Sequence, residues 1–179
     1  NRTMTDLGFG DLRTNSTIGR YHYAMVGMAD EPPSPQADEE MLRRSQAGKR
    51  DYGSWPYHDE PDNNVASPAH MAGLLKAMLG GNLVDGEASA QMIDLLRTGR
   101  DRRMLPRYVK ADVPVAHKYG SSGRIKGDVG ILYLPSGPLV AAGFATAHSD
   151  EADGADVIAR AVRLAVAALA PQSLEETDP

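Results

Sequence analysis

The sequence predicts an α/β fold of the α+β kind, an antiparallel sheet flanked by helices. Three observations predict it. Extended, largely apolar runs at residues 113–119, 128–134 and 139–146 follow one another closely, and Pro135-Ser136-Gly137-Pro138 turns the second back on the third as a hairpin. Helical periodicity precedes these runs between residues 67 and 98 and resumes after them at 153–170. The chain of 179 residues, 41% hydrophobic and 24% charged, has the length and composition to bury a core.

Taken in order, residues 1–9 read as the end of a truncated helix, with Met4 and Leu7 on one face and Gly8 as the stop. Residues 10–66 read as a long irregular loop region rich in Asp, Glu, Pro, Gly and Ser, with space for a short helix at 37–46. Glu31-Pro32-Pro33-Ser34-Pro35 argues against regular structure at its centre, while Tyr52, Trp55 and Tyr57 indicate that part of it packs. Residues 67–112 read as a helical pair and a basic loop. Ser67 is a good N-cap, Pro68 suits the first helical position, and Met71, Leu74, Leu75, Met78 and Leu79 make one apolar stripe ended by Gly80-Gly81. The second helix runs over about 86–98 on Ala88, Met92, Ile93, Leu95 and Leu96. Arg100, Arg102, Arg103, Arg107 and Lys110 then form a basic loop, read as solvated because acidic residues intervene and no aromatic platform accompanies them. Residues 113–170 hold three strands and a C-terminal helix with Val157, Ile158, Ala161, Val162, Ala165 and Leu169 inward, and 171–179 is a polar tail.

Composition narrows the function. Nineteen Lys and Arg against 24 Asp and Glu give a net charge of −5, which argues against a nucleic-acid partner. With no cysteine there is no disulfide, thiolate metal site or cysteine nucleophile. No apolar run approaches the roughly 20 residues of a membrane span. The phosphate-loop, His-Glu-x-x-His, dinucleotide and Gly-x-Ser-x-Gly patterns are absent, and no cofactor is implied. His58-Asp59-Glu60-Pro61-Asp62 has the donors for a hard cation, but an exposed acidic loop explains it more simply, so no metal is assigned.

The informative segment is His117-Lys118-Tyr119-Gly120-Ser121-Ser122-Gly123. A lysine ends an otherwise apolar strand, and two glycines follow within five residues. Glycine at a strand edge lets a ligand approach the backbone, so the Ser121 N–H can serve as an oxyanion donor and Lys118 can face a carboxylate. A strand end with a snorkelling lysine and a glycine turn accounts for the same residues structurally. Arg124 and Lys126 follow closely and can assist Lys118 at an anionic substrate; an exposed, charged hairpin turn is the alternative.

The order of the pieces adds a resemblance. Asn1 to Gly8, Ser67-Pro68-Ala69-His70-Met71-Ala72, Met104-Leu105-Pro106, Pro114-Val115-Ala116-His117-Lys118-Tyr119-Gly120 and Gly127-Asp128-Val129-Gly130-Ile131 occur in the order seen in the C-terminal part of the class A β-lactamase and penicillin-recognising serine hydrolase superfamily. The chain resembles that superfamily over almost its whole length. The resemblance implies a β-lactamase/transpeptidase-like fold whose N-terminal part is missing from this chain, and acyl transfer through an active-site serine. Of the three signatures, Ser-x-x-Lys, Ser-x-Asn and Lys-Thr/Ser-Gly, only the third is matched, at Lys118-Tyr119-Gly120. By that match Lys118 and the Ser121 N–H are catalytic, and Tyr119, Gly120, Ser122 and Arg124 bind substrate. The implied partners are an N-terminal segment carrying the first two signatures and a small-molecule substrate with a carboxylate. A secreted or periplasmic location is implied likewise.

Two departures shape the alternatives. Tyr119 replaces the usual small hydroxyl residue, and the Glu-x-x-Leu-Asn segment that positions the deacylating water is not found, although Glu39 and Glu40 sit in the corresponding loop. The favoured reading is the C-terminal portion of a β-lactamase-like serine hydrolase acting on a β-lactam or related amide or ester. The alternatives are a penicillin-binding peptidase or esterase relative with slow deacylation, and a non-catalytic binding module of the same fold.

Overall fold

A computed structural model describes residues 1–61, 63–146 and 151–176. The backbone forms two compact units, residues 1–67 and 68–179.

The first unit carries more helix than its composition predicts. After α1 (Arg2–Asp6), a helix α2 (Ile18–Met25) occupies part of the stretch expected to be irregular, and a helix α3 (Pro35–Gln46) takes the space allowed for one at 37–46 and starts two residues earlier. Helix α2 is only eight residues long and weakly apolar, yet Thr17 caps it by accepting from the Arg20 N–H, and it buries Tyr23, Ala24 and Met25. Tertiary burial, rather than propensity, accounts for it. The proline run does not exclude α3; it starts it. Ser34 accepts from the Ala37 N–H and Pro35 takes the first helical position, where no N–H is needed. Tyr23, Val26, Met28 and Ala37, with Met41, make the unit's core. A bridge between Arg13 and Val65 closes its ends, and the Asn64 side chain accepts from the Asn15 and Ser16 N–H groups.

The aromatics of this unit pack as expected. Tyr21 meets Trp55 edge-on with ring centres 6.1 Å apart, and Tyr52 meets Tyr57 at 4.9 Å. Burial pushes the Tyr57 phenol up to about 12. An unfolded tyrosine ionises near 10, so Tyr57 contributes stability that is complete below pH 10 and is lost as pH rises through about 12. Alkaline titration followed by tyrosinate absorbance is expected to show one phenol ionising about two units late. Its return to the ordinary midpoint in urea distinguishes folding from sequence as the cause.

In the second unit, α4 (Pro68–Leu79) and α5 (Gly86–Leu96) pack against each other, and Asp85 caps α5 through the Ala88 N–H at 2.7 Å. The sheet has three antiparallel strands in sequence order, β1 (Val115–Ser122), β2 (Ile125–Leu134) and β3 (Gly137–Thr146). All three differ from the sequence reading at their ends. Strand β1 begins two residues later and runs on through Ser122, while β2 begins at Ile125 and β3 at Gly137. The glycines at 120 and 127 lie opposite each other inside the ladder, and the turn falls on Gly123, whose φ of +53 suits glycine. The segment expected to leave the strand is therefore strand.

One sheet face packs Ala116, Val129 and Ile131 against Leu75, Met78 and Ile93 of α4 and α5. The other packs Leu132 and Leu134 against Val162, Val166 and Ala170 of the terminal helix α6 (Glu151–Leu169), with Leu105 and Val109 completing that core. The basic loop is thus anchored rather than solvated throughout. Arg102 donates to the Pro106 and Val109 carbonyls, and Arg107 pairs with Asp156 at 3.2 Å. Of α6, Val157, Ala161 and Leu169 were expected inward but stand exposed, because the buried stripe runs through Ile158, Ala159, Val162 and Val166. The polar tail is described to residue 176, with a short turn at Pro171–Ser173.

Candidate functional site

Strand β1 is an edge of the sheet among the described residues. Its register decides which backbone groups are turned outward. The Pro114 carbonyl accepts from the Tyr133 N–H at 3.0 Å, so residue 114 belongs to a hydrogen-bonded pair with β2. Pairing alternates along an antiparallel ladder, so residues 116, 118, 120 and 122 turn their backbone groups to β2. Tyr119 and Ser121 turn theirs to the open edge. The Lys118 ammonium follows this rule, reaching round to donate to the Tyr119 carbonyl at 2.6 Å.

Side chains alternate in the same way. Lys118, Gly120 and Ser122 share the face that packs on α4 and α5, and His117, Tyr119 and Ser121 share the α6 face. Lys118 is exposed, with its Nζ 4.9 Å from the centre of the Tyr119 ring, and the Arg103 guanidinium approaches the same ring at 5.8 Å. Both lie within the range of a cation–π contact. Asp101 holds Arg103 in place through its backbone N–H and its Nε, each at 2.8 Å, and this partner keeps the Asp101 carboxyl below its ordinary range.

Ser121 lies opposite Lys126 in the ladder, and the buried Lys126 ammonium donates to its hydroxyl and to the Gly123 carbonyl. The structure therefore brings together Lys118 with Tyr119, and Ser121 with Lys126. Gly120 is exposed beside them, Ser122 pairs with Ile125, and Arg124 stands exposed in the turn.

Beneath these residues lies a buried pair that the sequence reading did not single out. His117 is 3% exposed and Asp128 is 1% exposed. The His117 Nδ1–H donates to Asp128 Oδ1 at 2.9 Å, while Asp128 Oδ2 accepts from the Leu105 N–H at 3.0 Å. Two glycines make room for the imidazole: a Cβ on Gly130 would lie 2.5 Å from His117 Cβ, and one on Gly99 would lie 3.1 Å from the ring. Gly130→Ala is accordingly expected to destabilise this unit by about 1–3 kcal/mol, the range for overpacking a filled site. Urea denaturation reads it, and a loss under about 0.5 kcal/mol would show that the strands yield. The sequence places His117 and Asp128 on two strands, but they share a face only in the register set by the turn at Gly123, which the shorter predicted strands do not fix.

Other candidates are placed elsewhere. His58 approaches the Tyr52 carbonyl and Asp59 pairs with Arg13, while Asp62 lies outside the described residues. Among the described residues no group of three or more His, Asp or Glu is placed to hold a metal. No helix is long and apolar enough to cross a membrane, again among the described residues. Glu40 is gripped by Arg43 and Arg44, and those two guanidiniums hold its carboxyl down at about 2.

A family model described as the beta-lactamase enzyme family matches residues 1–169. Among solved structures, a β-lactamase from Sphaerobacter thermophilus aligns with 96% of this chain at a TM-score of 0.67 and 24% identity. A β-lactamase from Chitinophaga pinensis aligns with 59% of it at 0.55 and 31% identity, and a protein named PBP-A with 74% at 0.54 and 21% identity. The alignments take in 52%, 42% and 50% of those proteins respectively, so this chain spans about half their length. No curated protein matches the sequence.

Proposed function

This chain belongs to the beta-lactamase enzyme family, and from that premise we propose that it supplies the substrate-binding edge strand of a β-lactamase-like serine hydrolase working through an acyl-enzyme. The observation that carries the reading is the outward turn of the Ser121 N–H beside the exposed Lys118 amine, both on the free edge of β1. A reacting carbonyl laid along that edge meets the Ser121 N–H as an oxyanion donor, and a substrate carboxylate meets Lys118. Lys126, through the Ser121 hydroxyl, adds positive charge to the same end. The nucleophilic serine, its lysine base and the Ser-x-Asn group belong in this reading to an N-terminal segment of the fold. That segment and a carboxylate-bearing small molecule are the partners.

The slow-deacylating alternative, a penicillin-binding relative, is favoured by two observations. Tyr119 occupies the motif's hydroxyl position. Glu40, held at about 2 by Arg43 and Arg44, is too acidic to serve as the base that activates water, a task best done by a group titrating near neutrality. A structure of a single-residue mutant of PBP-A is described as an acyl-enzyme complex with penicillin G.

The test is to express the chain with and without the protein segment encoded upstream of it, and to assay a chromogenic cephalosporin and a simple ester. The reading expects acylation only in the combined protein. Rapid turnover supports a true β-lactamase, and a long-lived penicilloyl adduct in intact mass supports the penicillin-binding alternative. No acylation in the combined protein sinks both.

A further inference from the structure

We propose that the buried His117–Asp128 pair is a positioning device for the edge strand, holding residues 118–121 in the pose that presents Lys118 and the Ser121 N–H. This rests on the proposed role of that edge and assigns what sets its geometry. An edge strand has hydrogen-bonded neighbours on one side only, so its pose needs support from beneath. His117 supplies that support immediately before Lys118.

Its imidazole is fixed on three sides. Asp128 on β2 takes its Nδ1–H at 2.9 Å, Gly130 on β2 faces its Cβ, and Gly99 at the start of the basic loop faces the far side of the ring. The same carboxylate also takes the Leu105 N–H at 3.0 Å, so one acid joins β1, β2 and the basic loop. Tyr119, the next residue on that face, lies opposite Asp128 in the ladder and carries Arg103 of the same loop on its ring. The loop therefore grips β1 at His117 and again at Tyr119, and Lys118 is the residue between the grips. Hydrophobic packing alone fills such a space, but it lacks the directionality of hydrogen bonds. A buried carboxylate with two partners tolerates little displacement, because any slip leaves a buried polar group unpaired.

The experiment uses backbone amide spectra of the 179-residue chain combined with its upstream segment, and of four variants of that protein. His117→Leu removes the donor and retains bulk. His117→Asn places an amide N–H where Nδ1–H stood. Asp128→Asn keeps the shape of the acceptor, and Val162→Ala weakens the hydrophobic core on the same sheet face at a residue outside the pair. The proposal expects His117→Leu to shift or broaden the Lys118, Gly120 and Ser121 amides and to speed Leu105 amide exchange by about tenfold or more, the equivalent of one lost hydrogen bond. It expects His117→Asn to restore much of the native pattern, and Val162→Ala to leave residues 118–121 unchanged despite lower stability. If His117→Leu does not fold, Asp128→Asn carries the same expectation in milder form. Changes confined to residues 99–105, or equal changes in Val162→Ala, overturn the positioning role. Titration with benzylpenicillin separates the two ideas. Native shifts at 118–121 that depend on His117, without any response to the ligand, leave the device standing and count against the proposed role of the edge.

Discussion

Replacing Asp128 by alanine is expected to destabilise the unit of residues 68–179 by about 3 kcal/mol, more than any exposed charge deletion in the molecule. The reasoning counts partners rather than charges. Asp128 is 1% exposed, and its two oxygens serve two donors on different segments, His117 Nδ1 and the Leu105 N–H. Truncation leaves both donors buried and unpaired, and each such group costs about 1–3 kcal/mol. A small cavity adds to this. By contrast, the Arg43–Glu40 pair lies on the surface, where solvent and salt screen an ion pair and losing one partner leaves nothing buried unpaired. Thermal denaturation should show Asp128→Ala melting roughly 10 °C below the native chain. Asp128→Asn should fall between them, since it retains shape and one good acceptor. A loss below about 1 kcal/mol for Asp128→Ala would mean that water or a rearranged loop satisfies both donors.

His117 and Asp128 each lie within a recognisable motif, but their relation depends on ladder register, and register depends on where the hairpin turns. Gly120-Ser121-Ser122-Gly123 reads locally as a break, and only Gly123 adopts a left-handed backbone. The sequence ends the first strand at Tyr119 and starts the second three residues late, which leaves out the Gly120–Gly127, Ser121–Lys126 and Ser122–Ile125 positions and the turn that sets the register. The hairpin at residues 135–138, the α4 stripe and the closing helix were legible because their signals are local: prolines, a capped start and a repeat of 3.6 residues. Helix α2 was not, since the residues of Ile18–Met25 become helical through burial of Tyr23, Ala24 and Met25 and a Thr17 cap. The same limit applies to the site. The Lys118-Tyr119-Gly120 motif is visible in the sequence, whereas Arg103 on the Tyr119 ring and Lys126 under Ser121 are products of folding.

Lys118→Ala, made in the protein combined with its upstream segment, is expected to lower kcat/KM for a cephalosporin by about ten- to a hundredfold and to change hydrolysis of a neutral ester by less than about threefold. The figure is the worth of a hydrogen bond to a charged group, roughly 1.5–3 kcal/mol. The contrast between substrates carries the argument. Loss of a general structural support would slow both reactions together, since both need the Ser121 N–H in place. Lys118 is exposed and on the opposite sheet face from His117, so its truncation leaves the buried pair untouched. It removes one cation from the ring of Tyr119 and one donor from its carbonyl, neither of which orders the core. Lys118→Arg keeps the charge but spreads it over a planar group, so it should recover part of the cephalosporin rate. The salt dependence supplies a second reading of the same role. An exposed lysine acting on a carboxylate is screened by salt, so the preference for the cephalosporin over the ester should shrink as ionic strength rises in the native protein and stay flat in Lys118→Ala. Equal losses on both substrates would move the carboxylate contact away from Lys118, to Arg103 on the Tyr119 ring or Lys126 at the Ser121 hydroxyl.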